Sequence, residues 1–211
     1  NVIDQIGGAE SAILKKELLV DGTEGTGSRD DNGTPIPFSD EDYAELLSEV
    51  GTVKVETGTV GNRAKFDFSF KVINTLSVRY PYLFKGMNTI FEKISWYKAH
   101  VKNVHLIYTG RVGLAGSKAI ALYIKNVSND TFSGITADGA SDFITYDKSH
   151  AAFKANIDSS GNQTYRLASY YSSDGVTPAW VEIKDVRLVI EIEASANEII
   201  KSEIAANHVE N

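Results

Sequence analysis

Five side chains carry chemistry by their type alone: Trp96, Tyr123, Arg166, Tyr170 and Trp180. Aromatic faces stack on C–H-rich rings such as those of sugars, and a guanidinium beside them reads hydroxyl or carboxylate oxygens. Spacing draws three of the five together. In "TYRLASYY" (164–171), period two places Arg166, Ala168 and Tyr170 on one face and Tyr165, Leu167 and Tyr171 on the other. In "KAIALYIKN" (118–126), Tyr123 lies opposite Ile120, Leu122 and Ile124. If these stretches are neighbouring strands, Tyr123, Arg166 and Tyr170 line one face, with Ala119, Ala121 and Ala168 leaving room between them. That face is either a stacking platform or a surface covered by a terminal helix or a second subunit; the sequence leaves both open. Trp180 follows Pro178 and alternates against Val181 and Ile183, which points it outward or to a rim, against the competing reading that at least one of the two tryptophans is buried in the core. Trp96–Tyr97 and "RYPYLF" (79–84) supply further aromatics. Tyr171 is expected to pack.

Other chemistries find little support. His100, His105, His150 and His208 show neither H-x-H nor H-E-x-x-H spacing, and there are no cysteines, so zinc and thiolate chemistry drop out. No G-x-S-x-G elbow occurs, "GTEGTGS" (22–28) lacks the Lys-Ser/Thr of a phosphate loop, and nothing pairs two carboxylates as acid and base. A non-catalytic chain without a cofactor is expected. Asp21, Glu24, Asp30, Asp31 and Asn32 offer oxygen ligands for a structural calcium but miss the EF-hand register. A formal net charge of −7 disfavours nucleic acid as partner. No apolar run approaches a membrane span, and the first residue, Asn1, reads as the start of a fragment or a processed chain.

The elements that must hold these residues are mostly strands. At 211 residues and 42% hydrophobic, the chain can bury a sizeable core. "AKFDFSFKV" (64–72) sets Phe66, Phe68, Phe70 and Val72 against Lys65, Asp67, Ser69 and Lys71, the pattern of a half-buried antiparallel strand. Further strands are expected at 53–57, 96–109, 142–146, 151–157, 164–171, 179–184 and 186–193. The last two are out of phase, because Val181 and Ile183 are apolar at odd positions whereas Val186, Leu188, Ile190 and Ile192 are apolar at even ones. A bulge at Lys184–Asp185 is the remedy. Many short strands without intervening helices predict an all-β, antiparallel sandwich over 51–194. Residues 1–50 form an N-terminal segment: a helix over 2–20 with heptad spacing, which either packs on the domain or forms an oligomeric stem, a linker over 21–38, and a short helix opened by the capping box of "SDED" (39–42). "SANE" (195–198) caps a helix over 195–211.

The closing stretch "TYRLASYY", a small-residue loop and "AWVEIKDVRLVI" resembles the end of carbohydrate-binding modules of the galactose-binding-like jelly-roll family, and "KAIALYIKNVSN" resembles an earlier strand of the same modules. The resemblance covers roughly residues 64–193. It implies a jelly roll that binds a glycan or cell-surface polysaccharide, with Tyr123, Tyr170, Trp180 and Trp96 stacking and Arg166 reading polar groups. Such modules sit in polysaccharide-degrading enzymes and in phage tail fibres and tailspikes, so an extracellular or virion setting is expected. A different class remains beside it: a trimerisation or C-terminal assembly domain of a phage appendage, in which the aromatic face joins subunits and one of the Ser-Asp bonds 39–40, 141–142 or 173–174 is cut.

Overall fold

The computed structural model describes residues 2–6, 19–27, 36–48, 50–113 and 119–192. Two antiparallel sheets face each other. One has five strands: β1 (Val2–Ile6), β4 (Val53–Thr57), β6 (Val101–Gly113), β9 (Ile144–Ser149) and β11 (Ala179–Ile192). The long β11 pairs with β6 on one side; its other side is shared by β4 at residues 179–183 and β1 at residues 188–192. The second sheet orders β3 (Ile36–Pro37), β2 (Leu19–Gly27), β5 (Arg63–Phe70), β10 (Gln163–Ser169), β7 (Ala119–Asn126) and β8 (Thr131–Gly139). The chain repeatedly crosses from sheet to sheet, so most strands pair with partners distant in sequence, the wiring of a jelly-roll sandwich.

Alternation builds the core. Phe66, Phe68 and Phe70 of β5, Tyr165 and Leu167 of β10, and Ile120, Leu122 and Ile124 of β7 point inward from one sheet. Val104, Leu106, Tyr108 and Val112 of β6 and the apolar residues of β11 answer from the other. Each such side chain contributes about 1.5–3 kcal/mol by leaving water. The phase slip in β11 is resolved as expected: Ile183 pairs with Gly110 and Asp185 with Thr109, so Lys184 is the extra residue of a bulge that keeps both halves of the strand facing the core.

Helices close the ends. Helix α1 (Asp40–Leu47) begins at the Ser39–Asp42 capping box and buries Leu46. Phe38, just before it, meets Tyr43, Phe66 and Phe68 edge-on at 5.6, 5.7 and 5.8 Å. Between β5 and β6 lie α2 (Val72–Arg79), a 3-10 turn (Pro81–Phe84) and α3 (Ile90–His100). Helix α4 (Ala151–Ala155) seats Phe153 against Tyr165 at 5.0 Å. Buried Gln163 ties the helices to the sheet, accepting from the hydroxyls of Tyr97 and Tyr165 and donating to the Phe153 carbonyl. Burial raises the pKa of both hydroxyls, which therefore stay neutral and available as donors.

Several expectations are corrected. Residues 2–6 are a strand, not the start of a heptad helix: Val2 to Ile6 pair with Ile192 to Leu188, and the open edge of β11 outweighs the weak helical preference of a β-branched segment followed by Gly7–Gly8. Leu19 and Val20 are likewise extended, and residues 21–27, expected as linker, continue β2 along β5. The 96–109 strand is really the end of α3 followed by β6, and 151–157 begins with α4, whose first turn is capped by His150. The helix expected over 195–211 lies outside the described residues, as do Asp30, Asp31 and Asn32 of the calcium set. Among the described residues no cluster of three or more metal-ligating side chains occurs, and no helix is long and apolar enough to cross a membrane.

Candidate functional site

The outer face of the six-stranded sheet gathers three of the five sequence-predicted residues. Arg166 of β10 pairs with Tyr123 of β7 and Asp67 of β5, and Tyr170 continues the same face through its backbone bond to the Ala119 carbonyl. The face is closed over part of its width. Arg166 is 1% exposed and Tyr123 5%, so neither presents the open surface that a platform across the whole sheet requires. The Arg166 guanidinium is held by both Asp67 oxygens, at 2.7 Å from Nε and 2.8 Å from Nη2, and its Cζ lies 3.7 Å from the centre of the Phe132 ring. This is a fork-to-fork ion pair under an aromatic lid.

The face opens at its other end. Tyr170 is 41% exposed and Tyr171 43%, and their rings meet edge to face at 4.8 Å. Tyr171 was expected to pack; it is exposed because the chain leaves regular alternation once β10 ends at Ser169. Arg63, at the start of β5, joins the group. Its Nη1 donates to the Tyr123 hydroxyl at 3.1 Å, and its Cζ stands 5.8 Å from the Tyr170 ring centre. Small Ala121 and Ala168 give the Tyr123 ring its space on the sheet. The loop around the tyrosines is fixed by the backbone: Gly61 donates to the Ser173 carbonyl at 2.9 Å and Ser173 donates to that of Asn62 at 2.8 Å. Gly61, with φ at 81°, adopts the left-handed turn this requires. Asp174 accepts from the amides of Val176 and Thr177, which lower its pKa. Ser173–Asp174 thus forms a turn and Ser39–Asp40 a helix cap, the ordinary uses of such pairs.

Trp180 and Trp96 lie elsewhere. Trp180 is half-buried on the outer face of the five-stranded sheet, beside Gly113 of β6. Lys54 Nζ lies 5.0 Å and Arg111 Cζ 5.9 Å from its ring centre. Trp96 belongs to α3, where it stacks on His100 at 4.4 Å and meets Phe84 edge-on, a packing role within the helical insert. A separate cleft of about 330 Å³ is lined by Lys125, Asp130, Asp158, Asn162 and Thr164. Its charges are engaged: Lys125 bonds Asp130 at 2.7 Å, and Asp158 accepts from the Ser160 and Asn162 amides. It offers no aromatic surface for stacking.

Sequence reasoning missed Arg63, the residue that links Tyr123 to Tyr170. Its signal was present, since Arg63 shares the parity of Lys65, Asp67 and Ser69, the polar face of β5. Missing was the pairing of β5 with β10, which brings it next to the tyrosines.

No protein-family model matches the chain, and no curated protein does. Among solved structures it is similar to the CBM22-1 xylan-binding domain from Paenibacillus barcinonensis Xyn10C, at 9% identity and a TM-score of 0.30, over 69% of this chain and 84% of that one. It is also similar to the family 11 carbohydrate-binding module of the cellulosomal cellulase Lic26A-Cel5E of Clostridium thermocellum, at 8% identity and a TM-score of 0.35, over 92% of this chain and 98% of that one. At these identities and TM-scores neither likeness says what this chain binds.

Proposed function

We propose that this domain is a non-catalytic carbohydrate-binding module whose sugar contacts lie at the Tyr170–Tyr171 end of the six-stranded sheet. The observation that carries the reading is the pair of exposed tyrosines held edge to face, with Arg63 set over one of them and anchored by the buried Tyr123 hydroxyl. Two rings at a steep angle, 79° between planes, offer one surface for a pyranose face and a second as a wall. Arg63 supplies donors for hydroxyls from a fixed position, so little side-chain freedom is lost on binding. Tyr123 acts as a positioning residue, and Arg166 as a structural support beneath the sheet's closed part. The extracellular or virion setting expected from the sequence resemblance goes with this reading.

Electrophoresis in native gels containing soluble neutral polysaccharides such as xylan, mixed-linkage glucan or glucomannan tests the function. At least one polysaccharide should retard the wild-type protein, and Tyr170→Ala should be retarded markedly less. Retardation unchanged by Tyr170→Ala would sink the assignment of the site, and no retardation by any of them would sink the reading.

A further inference from the structure

The outer face of the opposite sheet carries an independent arrangement around Trp180. The residue sits on β11 between β4 and β6, with Glu56 across from it on one side and Gly113 on the other. Its indole occupies the space that any side chain at position 113 would fill: a Cβ on Gly113 would lie 2.0 Å from Cε2, 2.2 Å from Cζ2 and 2.3 Å from Nε1. The glycine lets the ring rest on the β6 backbone instead of standing away from the sheet.

Polar groups surround this ring in a fixed pattern. Arg111 donates from Nε to Glu182 at 2.7 Å while its Cζ stacks 4.5 Å from the Phe143 ring centre. Glu182 also accepts from the Thr52 hydroxyl at 2.7 Å, and Lys54 donates to Glu56 at 2.6 Å. Each cation near the indole has a carboxylate partner and Asp142 also acts on Arg111, so the patch has no net positive field to attract an anion. Lys54 and Glu56 remain 45% exposed, and Arg111 39%. Lys54 and Arg111 stand over the half-buried indole, so their remaining donors lie beside its ring. Alternating donors and acceptors without a net positive charge, set beside an aromatic ring, match the hydroxyls of a neutral sugar.

We infer that Trp180, Lys54 and Arg111 form a second sugar-stacking subsite for a neutral glycan, on the face opposite Tyr170 and Tyr171. The inference rests on the carbohydrate-binding reading for its ligand class but on none of the same residues. Because the two sites lie on opposite faces of the sandwich, one domain would engage two glycan strands at once and gain avidity on a polymer.

The test is a ¹H–¹⁵N NMR titration of the wild-type domain with xylohexaose and with cellohexaose, reading the two indole Nε1–H resonances and the backbone amides of Tyr170 and Tyr171. A Trp96→Phe variant assigns the indoles. The Trp180 indole should shift on titration, in the wild type and equally in Tyr170→Ala. Trp180→Ala should weaken binding at its own face by about tenfold or more while the Tyr170 amide titrates as before. If the Tyr170 amide moves and the Trp180 indole does not, the second subsite is wrong and the first site stands. If the Trp180 indole moves alone, the second subsite stands and the Tyr170 assignment falls. Movement of neither overturns both, and a Trp180 shift that vanishes in Tyr170→Ala reduces them to one coupled site.

Discussion

The Asp67–Arg166 pair separates a structural guanidinium from a ligand-reading one. Asp67 accepts two charge-assisted hydrogen bonds from Arg166, at 2.7 and 2.8 Å, and the arginine side chain is 1% exposed. Taking the carboxylate away by Asp67→Ala breaks a pair whose cation has almost no access to water. Such losses cost about 3–5 kcal/mol, and the 22% exposure of Asp67 places this one toward the lower end, at about 3 kcal/mol. Arg166→Met should cost less, because an apolar chain of similar length keeps the contact with Phe132 and the remaining carboxylate is partly hydrated. Urea unfolding at constant m-value measures both, and for a domain of this size the Asp67→Ala loss corresponds to about 6–12 °C in Tm. A loss under about 1 kcal/mol for Asp67→Ala, or a larger loss for Arg166→Met than for Asp67→Ala, would refute the reasoning. Loss of glycan binding in a fully stable Arg166→Met would return Arg166 to the role of a ligand reader.

Two further outcomes follow from the outer face of the five-stranded sheet. Gly113→Ala places a methyl inside the indole of Trp180 and must displace the ring, so stability should fall by about 1–3 kcal/mol and the Trp180 fluorescence should shift in a Trp96→Phe background; an unchanged spectrum contradicts the packing. Burial works to raise the Glu182 carboxyl, yet hydrogen bonds from Arg111 and Thr52, with the charges of Arg111 and Lys54, outweigh it and hold the pKa below the usual 4.5. A lowered folded pKa means stability that is complete above 4.5 and disappears as pH falls through the folded value. The stability difference between wild type and Glu182→Gln, measured by urea unfolding, should therefore shrink below pH 4.5; a difference that grows on acidification has the wrong sign.

The fold was legible where side-chain parity decided it. Phe66, Phe68 and Phe70 alternate so regularly that β5 follows from them, and the odd-to-even slip in β11 announced the bulge at Lys184. Local chemistry was equally readable at Ser39–Asp42, where a capping box needs only its own four residues. Thr89 and Glu92 form the same device at the start of α3, ahead of the 96–109 stretch that reads as one extended run. Nothing in β1 or β2 could have been read from parity: their strand state comes from the open edges of β11 and β5, partners far away in sequence. The same limit governs the site. Period two put Tyr123, Arg166 and Tyr170 on one face correctly, but parity says which face a residue takes and nothing of how open that face is. The burial of Arg166 depends on Asp67 and Phe132, and the exposure of Tyr171 on the chain leaving the sheet after Ser169.

The most direct measurement is calorimetric titration of the best-retained oligosaccharide into the wild-type domain and into Tyr170→Ala/Tyr171→Ala, with thermal unfolding of both as control. The rings are exposed, so the double variant should unfold within about 2–4 °C of the wild type. Its affinity at the tyrosine face should fall by about tenfold or more, the loss of aromatic stacking on a sugar ring. Equal affinity in two equally stable proteins would contradict the claim that these tyrosines hold the glycan.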